Sequence, residues 1–188
     1  MSNASESQLA STVMMIRPAG FESNPLTAES NAFMIETSRP PAEQQADALR
    51  EFDGLVDVLR GAGIDVIVID DTADPHTPDA IFPNNWISTH ADGSVVLYPM
   101  EAENRRTERR RDVIEHLVGN CNRLVTDVID LSAHERDGHF LEGTGSMVLD
   151  RVNRIAYACV SSRTHLDPLG DNRESHPLLE LETFGLGE

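Results

Sequence analysis

The sequence predicts an α/β fold assembled from repeated units of two strands, a helix and a closing strand. Three stretches of the chain show this succession in whole or in part: residues 12–70, 79–131 and 140–171. The closing segments of the first two, IDVIVID and VTDVID, resemble each other and end at Asp70 and Asp130. Repeats of this length usually indicate a repeat architecture, because one unit alone leaves an apolar sheet edge and helix face exposed.

The first unit contains two short apolar runs that predict strands, TVMMI at residues 12–16 and NAFMIET at residues 31–37. A helix is expected from Pro40-Pro41, because proline is tolerated in a first helical turn. Its apolar residues recur at spacings of three and four and define one face. They are Leu49, Phe52, Val56 and Leu59. The run IDVIVI at residues 64–69 predicts the closing strand.

The second unit repeats this order. Strands are expected at Trp86–His90 and Ser94–Tyr98, joined by the turn signal Ala-Asp-Gly. A helix is expected from about Arg105 to Val118, and the closing strand at Leu124–Leu131.

The third unit begins with two predicted strands, Ser146–Leu149 and Arg154–Val160. A helix should follow, but Pro168 and Gly170 interrupt the pattern. We therefore expect a broken, atypical tail over residues 172–188 in place of a helix, so that the chain stops during its third unit.

Composition and charge favour a globular protein that does not bind nucleic acid. Of the 188 residues 39% are hydrophobic and 25% charged, which is typical of a folded domain. All 15 basic residues are arginine, and against 32 acidic residues they leave a net charge of −17. Such a charge repels nucleic acid and anionic membranes but permits a small cationic substrate such as a guanidinium or an amine. A GC-rich or salt-adapted source explains the same acidity equally well.

The sequence also favours a cytoplasmic location. No apolar run approaches the roughly 18 residues of a membrane span. Two cysteines, Cys121 and Cys159, make no disulfide framework. Residues 1–11 are polar and small, and are expected to form a disordered tail rather than a signal peptide.

The first candidate site is the segment that precedes Trp86. Asp79 is an acid beside a short apolar run, and Asn84 and Asn85 offer amide donors and acceptors next to Pro83. The alternative interpretation is an ordinary turn that leads into a strand, since Asn and Pro are common there.

The second candidate is Phe140–Ser146, which also precedes a strand. Two glycines let the backbone bend and approach a ligand, and Glu142 beside them is a candidate for general acid or base chemistry if it is partly buried. It is not a phosphate loop, because no Lys and no helix follow. The alternative is a bulge or turn.

Arginines follow matching strands of two units and form the third candidate. Arg105-Arg106 follows VVLYPM, and Arg163 follows IAYACV. A guanidinium fork suits a carboxylate ligand. In so acidic a chain, pairing with a nearby Asp or Glu is the alternative for each Arg. Arg109–Arg111 are expected to form a solvated helix face.

Histidine and cysteine are less informative. The segment His134–His139 is not a zinc HExxH motif, because its second His is one place late, and no metal site is predicted. Cys159 alternates with Ile155 and Tyr157, so we expect a buried structural thiol.

Together these motifs resemble the guanidino-group modifying enzymes: arginine deiminases, dimethylarginine dimethylaminohydrolases and amidinotransferases. The match lies in MIRPAGFESNPLTAESNAF at 15–33, DAIFPNNWIST at 79–89, FLEGTGSMVLD at 140–150 and ACVSSRT at 158–164. The branch it most resembles is that of the arginine-deiminase-related, citrulline-utilisation proteins. The resemblance implies the pentein fold, five ββαβ modules around a pseudo-fivefold axis, with about three of the five in this chain.

The resemblance also implies roles for individual residues. Asp79 would help to hold the guanidinium group, and Arg106 and Arg163 would clamp the substrate carboxylate. Glu142 stands where the family places an acidic residue beside its catalytic His. Asn85 stands where the hydrolases usually carry a guanidinium-binding Asp, so the chain departs from the pattern there.

The family chemistry implies a larger departure. A Cys thiolate attacks the guanidinium carbon, ammonia or an amine leaves, and water hydrolyses the thiouronium intermediate, with a His as general acid and base. No metal or cofactor is implied. The Cys and His lie in later modules, and no match is evident after about Asp171. We therefore expect the N-terminal part of a truncated amidinohydrolase, inactive alone, that acts on guanidino groups of arginine-like substrates.

Two alternatives remain open. One is a non-catalytic pentein, like the archaeal and eukaryotic initiation factor that binds the large ribosomal subunit. The other is an unrelated α+β domain that acts only in protein association. If the chain holds three modules of a pentein ring, the unpaired flank at Ser146–Val160 would expose apolar residues and favour an oligomer, an aggregate or a partly molten monomer.

Overall fold

A computed structural model describes residues 8–28, 38–120, 125–175 and 180–185. Its chain divides into two compact units. The smaller unit comprises residues 10–83 and 102–108; the larger unit comprises residues 1–9, 84–101 and 109–188.

Strands and helices follow one another largely in the order that the repeats predict. They are β1 (Thr12–Arg17), α1 (Pro41–Gly61), β2 (Asp65–Asp70), β3 (Ile87–Thr89), β4 (Ser94–Leu97), α2 (Glu103–Arg106), α3 (Arg111–Asn120), β5 (Asp127–Asp130), α4 (Gly143–Ser146), β6 (Met147–Asp150), β7 (Ile155–Val160), α5 (Leu166–Ser175) and β8 (Glu180–Gly185). A 3-10 turn at Ser132–Asp137 follows β5.

In the smaller unit, α1 is the crossover between two parallel strands. β1 pairs with β2 from Thr12 opposite Asp65 to Arg17 opposite Asp70, and parallel neighbours require such a crossover. The predicted apolar face of α1 is confirmed, because Phe52 and Val56 are buried. They share a core with Val66, lined by Val13, Met15, Leu59, Ile64 and Val68. The predicted strand at 31–37 lies outside the described residues.

None of the described helices is long and apolar enough to cross a bilayer.

In the larger unit, the second sheet confirms the predicted hairpin and closing strand. β3 and β4 are antiparallel, with Ile87 opposite Leu97, and β5 runs parallel to β4. The single helix expected from Arg105 to Val118 is wrong, because α2, which belongs to the smaller unit, and α3 are separate helices. The Thr107 hydroxyl donates to the Asn104 carbonyl at 2.8 Å and closes the last turn of α2.

The third sheet has the same organisation as the second. β6 and β7 form an antiparallel hairpin, and β8 pairs in parallel with β7 along its whole length. The expected replacement of the helix by a broken tail is wrong, because α5 connects β7 to β8. Pro168 is the third residue of α5, where a missing N–H leaves no intrahelical bond unmade. Gly170 costs only about 1 kcal/mol relative to Ala in a helix.

Residues 1–11, expected as a disordered tail, are described from Gln8 onward. The Gln8 side chain donates from Nε2 to the Leu149 carbonyl at 3.0 Å and accepts at Oε1 from the Arg151 N–H at 2.8 Å. These two hydrogen bonds attach Gln8 to the β6–β7 hairpin.

The core of the larger unit lies between the second and third sheets. Its members are Val96, Tyr98, Leu131, Leu141, Met147, Ala158 and Leu169. Leu141 is completely buried, so this core fixes the chain immediately before Glu142.

One face of β7 is opposite to the expected one. Ala156 and Ala158 are buried, whereas Tyr157 and Cys159 are exposed. The expectation that Cys159 is a buried structural thiol is therefore wrong. The core leaves room only for small side chains such as alanine on this face of β7. The larger side chains, which alternate with the alanines along the strand, therefore lie on the outer face.

Candidate active site

The carboxylate of Glu142 is buried in the larger unit and held by several donors. Only 2% of the residue is exposed. Oε1 accepts from the Glu101 N–H at 3.1 Å, and Oε2 lies 3.3 Å from Nη1 of Arg163. Burial of a carboxylate without such partners is costly. The structure thus brings two sequence-predicted site residues, Glu142 and Arg163, into contact.

A short antiparallel bridge positions this pair. Leu141 pairs with Thr164, and both residues are at most 1% exposed. The Ser146 hydroxyl links the two segments, because it accepts from the Glu142 N–H at 2.7 Å and donates to the Arg163 carbonyl at 2.6 Å. Backbone pairing rather than side-chain contact alone therefore fixes the separation of the carboxylate from the guanidinium.

The two glycines beside Glu142 allow close approach to the Asn84-Asn85 segment. Gly143 has a φ of +41°, and a Cβ there would lie 2.4 Å from the Asn84 carbonyl oxygen. A Cβ on Gly145 would lie 3.0 Å from Nδ2 of Asn85. Asn84 Nδ2 donates to the Thr144 hydroxyl at 2.5 Å. Two motifs predicted separately are therefore packed together, and Asn85 lies against the loop that carries Glu142.

A cavity of about 360 Å³ opens beside this contact within the larger unit. Its lining includes Asn84, Thr144, Ser88, Tyr98 and Arg151. Burial raises the pKa of Tyr98 to about 12, so its hydroxyl stays protonated. Asn85, Glu142 and Arg163 do not line this cavity.

Asp79 is the centre of a polar cluster in the smaller unit. Its side chain is 14% exposed. Oδ2 accepts from Asn24 Nδ2 at 2.7 Å and from the Thr27 hydroxyl at 3.4 Å, and lies 3.8 Å from Arg105 Nε. Oδ1 accepts no hydrogen bond from any residue that the structure describes. One oxygen is thus fixed by the protein, while the other keeps its capacity as an acceptor.

Arg105 and Arg106 have different environments. Arg105 is buried and forms a bidentate pair with Glu108, with Nε–Oε1 at 3.0 Å and Nη2–Oε2 at 2.9 Å. The pairing alternative therefore holds for Arg105. Arg106 is partly exposed at the end of α2. Of the two, Arg106 is the better placed to meet a ligand from solvent.

Glu108 is unusual among the carboxylates. Burial raises its pKa to about 7, and the hydrogen bonds and charge of Arg105 only partly offset this. Arg105 also donates to the Phe82 carbonyl at 3.2 Å, so the pair supports the chain just after Asp79.

The expectation of a solvated face at Arg109–Arg111 holds for only part of that run. Arg111 is 90% exposed. Arg109 is instead 13% exposed and pairs with Glu135 through Nη1–Oε1 at 2.6 Å and Nη2–Oε2 at 2.9 Å. Glu135 also accepts from the Met100 N–H at 2.8 Å. Arg109 is thus a structural residue of the larger unit.

A sequence model of the family described as N,N dimethylarginine dimethylhydrolase, eukaryotic, matches residues 17–181 of the chain. The chain belongs to this family. It is therefore a member of the pentein superfamily of guanidino-modifying proteins, as the resemblance implied. The match extends to residue 181, so the expectation that similarity ends at about Asp171 is wrong.

Solved structures of this superfamily share the fold. A cysteine-to-serine mutant of the dimethylarginine dimethylaminohydrolase (DDAH) from Pseudomonas aeruginosa, complexed with citrulline, matches at a TM-score of 0.64 and 19% identity, over 94% of this chain and 61% of that one. The substrate-bound N-terminal domain of ArgZ, a cyanobacterial arginine dihydrolase, matches at 0.66 and 19% identity, over 94% and 58%. The chain thus spans about three fifths of the length of these structures. No curated protein matches it.

The DDAH family assignment settles the fold and excludes an unrelated α+β domain. Sequence reasoning missed Asn24 and Glu108, although signals for both were present. Asn24 lies within the first family motif, and Glu108 follows Arg105 at the helical spacing of three that permits a pair.

Proposed function

We propose that this chain supplies guanidino-binding residues of an amidinohydrolase that acts on arginine-like substrates. In the whole reaction, the C–N bond of the guanidino group is hydrolysed to a citrulline-like ureido product, and ammonia or an amine leaves. In the smaller unit, the proposal assigns guanidino binding to Asp79 and binding of the substrate carboxylate to Arg106. In the larger unit, it assigns guanidino binding to Asn85, carboxylate binding to Arg163 and assistance to proton transfer to Glu142.

The observation that carries the proposal is that the two oxygens of the Asp79 carboxylate differ in their hydrogen bonding. Asn24 and Thr27 hold Oδ2, which fixes the orientation of the group. Oδ1 keeps its lone pairs for a ligand, and a guanidinium N–H is the donor that a carboxylate binds most strongly. A side chain that is 14% exposed is screened less than a surface carboxylate.

Asn85 offers a neutral amide where related hydrolases carry an acid. Its carbonyl oxygen can accept from a guanidinium N–H, but it adds no charge. An amide at this position would therefore bind a guanidinium less tightly than a carboxylate would. A substrate with additional contacts to Arg106 or Arg163 would recover part of this loss.

Glu142 and Arg163 support a role near the reacting group. The Glu142 carboxylate is ordered by Glu101 and Arg163, and a fixed, buried carboxylate can orient a His or accept a proton with little reorganisation. The Arg163 side chain is 26% exposed, which leaves part of its fork accessible to a substrate carboxylate.

We also propose that the 188-residue chain has no turnover by itself. The covalent step requires a thiolate that attacks the guanidinium carbon. Cys159 is exposed on β7, and its sequence position does not match that of the family nucleophile. We therefore expect the chain to bind its ligand without converting it.

Calorimetry with a matched ligand pair tests the proposal. L-arginine and L-ornithine share the α-amino and carboxyl groups and differ in the amidino carbon and its nitrogens. We expect the chain to bind arginine and not ornithine, and to release no ammonia from arginine. Equal affinity for the two ligands would exclude guanidino recognition. Ammonia release that Cys159→Ala abolishes would show that Cys159 is a nucleophile.

A further inference from the structure

Three side chains of types that can bind a metal lie close together in the larger unit. One comes just before Phe140, and the other two lie at the start of α5. Nδ1 of His139 lies 3.0 Å from Oδ2 of Asp167, and Nδ1 of His165 lies 3.8 Å from the same oxygen. All three ligand atoms lie within 4.8 Å of one another. Around a tetrahedral zinc ion, with metal–ligand distances of about 2.0–2.1 Å, ligand atoms are about 3.3 Å apart. Shifts of about 1 Å would therefore bring these atoms onto one ion.

The two imidazole rings are already arranged side by side. Their centroids are 3.6 Å apart and their planes differ by 4°. A metal ion binds the lone pair of an imidazole nitrogen. Nδ1 of His165 accepts from the Asp167 N–H at 3.2 Å, so a metal at this nitrogen would replace that hydrogen bond.

The backbone on either side of the cluster is fixed. The bridge between Leu141 and Thr164 lies one or two residues from each His, and both bridge residues are buried. The His165 N–H also donates to the Phe140 carbonyl at 2.7 Å. Because the backbone already holds the two His residues together, a metal would order only their side chains and Asp167.

We propose that His139, His165 and Asp167 form a binding site for a divalent transition metal of the zinc class. Two imidazoles and one carboxylate suit Zn²⁺ or Co²⁺, whereas Mg²⁺ and Ca²⁺ prefer oxygen ligands throughout. Three protein ligands leave a fourth position for water. The side chains are 30%, 42% and 59% exposed, so an ion can enter from solvent.

The site lies on the same bridge that positions Glu142 and Arg163. A bound metal would join the segments on the two sides of that bridge and resist their separation. Its expected effects are stabilisation of the larger unit and tighter ordering of the Glu142–Arg163 pair. The ion takes no part in the proposed guanidino chemistry.

Co²⁺ titration of the untagged chain, followed by visible absorption and competed with Zn²⁺, tests this site. We expect one tight equivalent with a d–d spectrum typical of nitrogen and oxygen ligands, and affinity at least tenfold weaker in His139→Gln and in His165→Gln. His134→Gln is the matched control, because His134 pairs with Asp171 one turn further along α5 and lies outside the cluster. Cys159→Ser should also leave binding unchanged.

Thermal unfolding provides a second readout. Free Zn²⁺ at about 100 times its Kd should raise the melting temperature of the chain by about 5–10 °C. The same Zn²⁺ should raise the His139→Gln melting temperature by no more than about half as much, because the site is at least tenfold weaker. Equal affinity in the cluster variants and in His134→Gln, a thiolate charge-transfer band lost in Cys159→Ser, or no tight equivalent in the unmodified chain would each overturn the proposal.

Discussion

Glu142 and Arg163, 21 residues apart, form an ion pair of 3.3 Å in which the carboxylate is 2% exposed and the guanidinium 26% exposed. The two charges differ in their access to solvent. Arg163 can return to water if its partner is lost, whereas Glu142 would remain buried. Removal of the arginine should therefore have the larger effect on stability.

Arg163→Ala is expected to lower the free energy of unfolding by about 1–3 kcal/mol, because it leaves a buried charge with fewer donors. Glu142→Gln should cost less, since the amide keeps an acceptor for the Glu101 N–H. Urea denaturation measures both. Arg111→Ala is the control, because its pair with Glu115 is 90% and 64% exposed and should contribute less than about 0.5 kcal/mol. Equal losses in Arg163→Ala and Arg111→Ala would contradict this account of the pair.

Gly143→Ala should destabilise the chain by about 2–4 kcal/mol. The new Cβ would lie 2.4 Å from a backbone oxygen of Asn84, and the φ of +41° disfavours any side chain. Gly170→Ala provides the comparison, because no atom lies within 4 Å of its Cβ position. That helical substitution should raise stability by about 0.5–1 kcal/mol. Thermal melts of both variants, read by circular dichroism, should shift in opposite directions.

Local sequence signals predicted most strands, because turn residues and alternating apolar residues act over a few positions. The Ala-Asp-Gly turn identified the β3–β4 hairpin, and the spacing of Phe52 and Val56 identified the buried face of α1. Local signals did not predict which face of β7 is buried. Ile155 and Tyr157 on one face are more apolar than Ala156 and Ala158 on the other, yet the alanines face the core.

The contacts of the candidate site depend on the tertiary fold. The contact between Glu142 and Arg163 requires the bridge of Leu141 with Thr164, and no local pattern specifies that pairing. Local patterns do not predict the helix α5, because a proline normally argues against a helix; the place of Pro168 in the first turn removes that conflict. Local patterns do not predict the proposed metal site either, because its ligands come from two segments of the chain.

The stability of the smaller unit should fall as pH rises through neutrality. Burial raises the pKa of Glu108 from 4.5 to about 7 in the folded state. Between these values the folded chain binds a proton that the unfolded chain has released, so the free energy of unfolding decreases with pH. This contribution is fully present below about pH 4.5 and is lost as pH rises through about 7.

Urea denaturation at a series of pH values checks this slope. Glu108→Gln should flatten it, while Glu115→Gln, which removes an exposed carboxylate, should not. A slope that is unchanged in Glu108→Gln would show that another group is responsible.

Association of the chain is expected to depend on the outer face of the β6–β7 hairpin. Val148 lies opposite Tyr157 across the two strands, and they are 66% and 37% exposed. Adjacent exposed apolar side chains favour self-association. In sedimentation velocity the chain should be heavier than 20.7 kDa, and Val148→Glu should shift it towards the monomer.

Val152→Glu is the control for this face. Val152 is 58% exposed in the turn between the strands, so the change adds the same charge away from the sheet. A monomer with one sharp cooperative melt in the unmodified chain would contradict the prediction of association.

The most direct test of the guanidino-binding proposal is calorimetric titration of L-arginine into the chain and into two matched variants. Asp79→Asn keeps the size of the side chain and removes the charge that would hold the guanidinium. Asp57→Asn makes the same change on the exposed side of α1. We predict binding to the unmodified chain and to Asp57→Asn, and a loss of about tenfold or more in Asp79→Asn. Binding that is absent from all three, or equal in all three, would contradict the account.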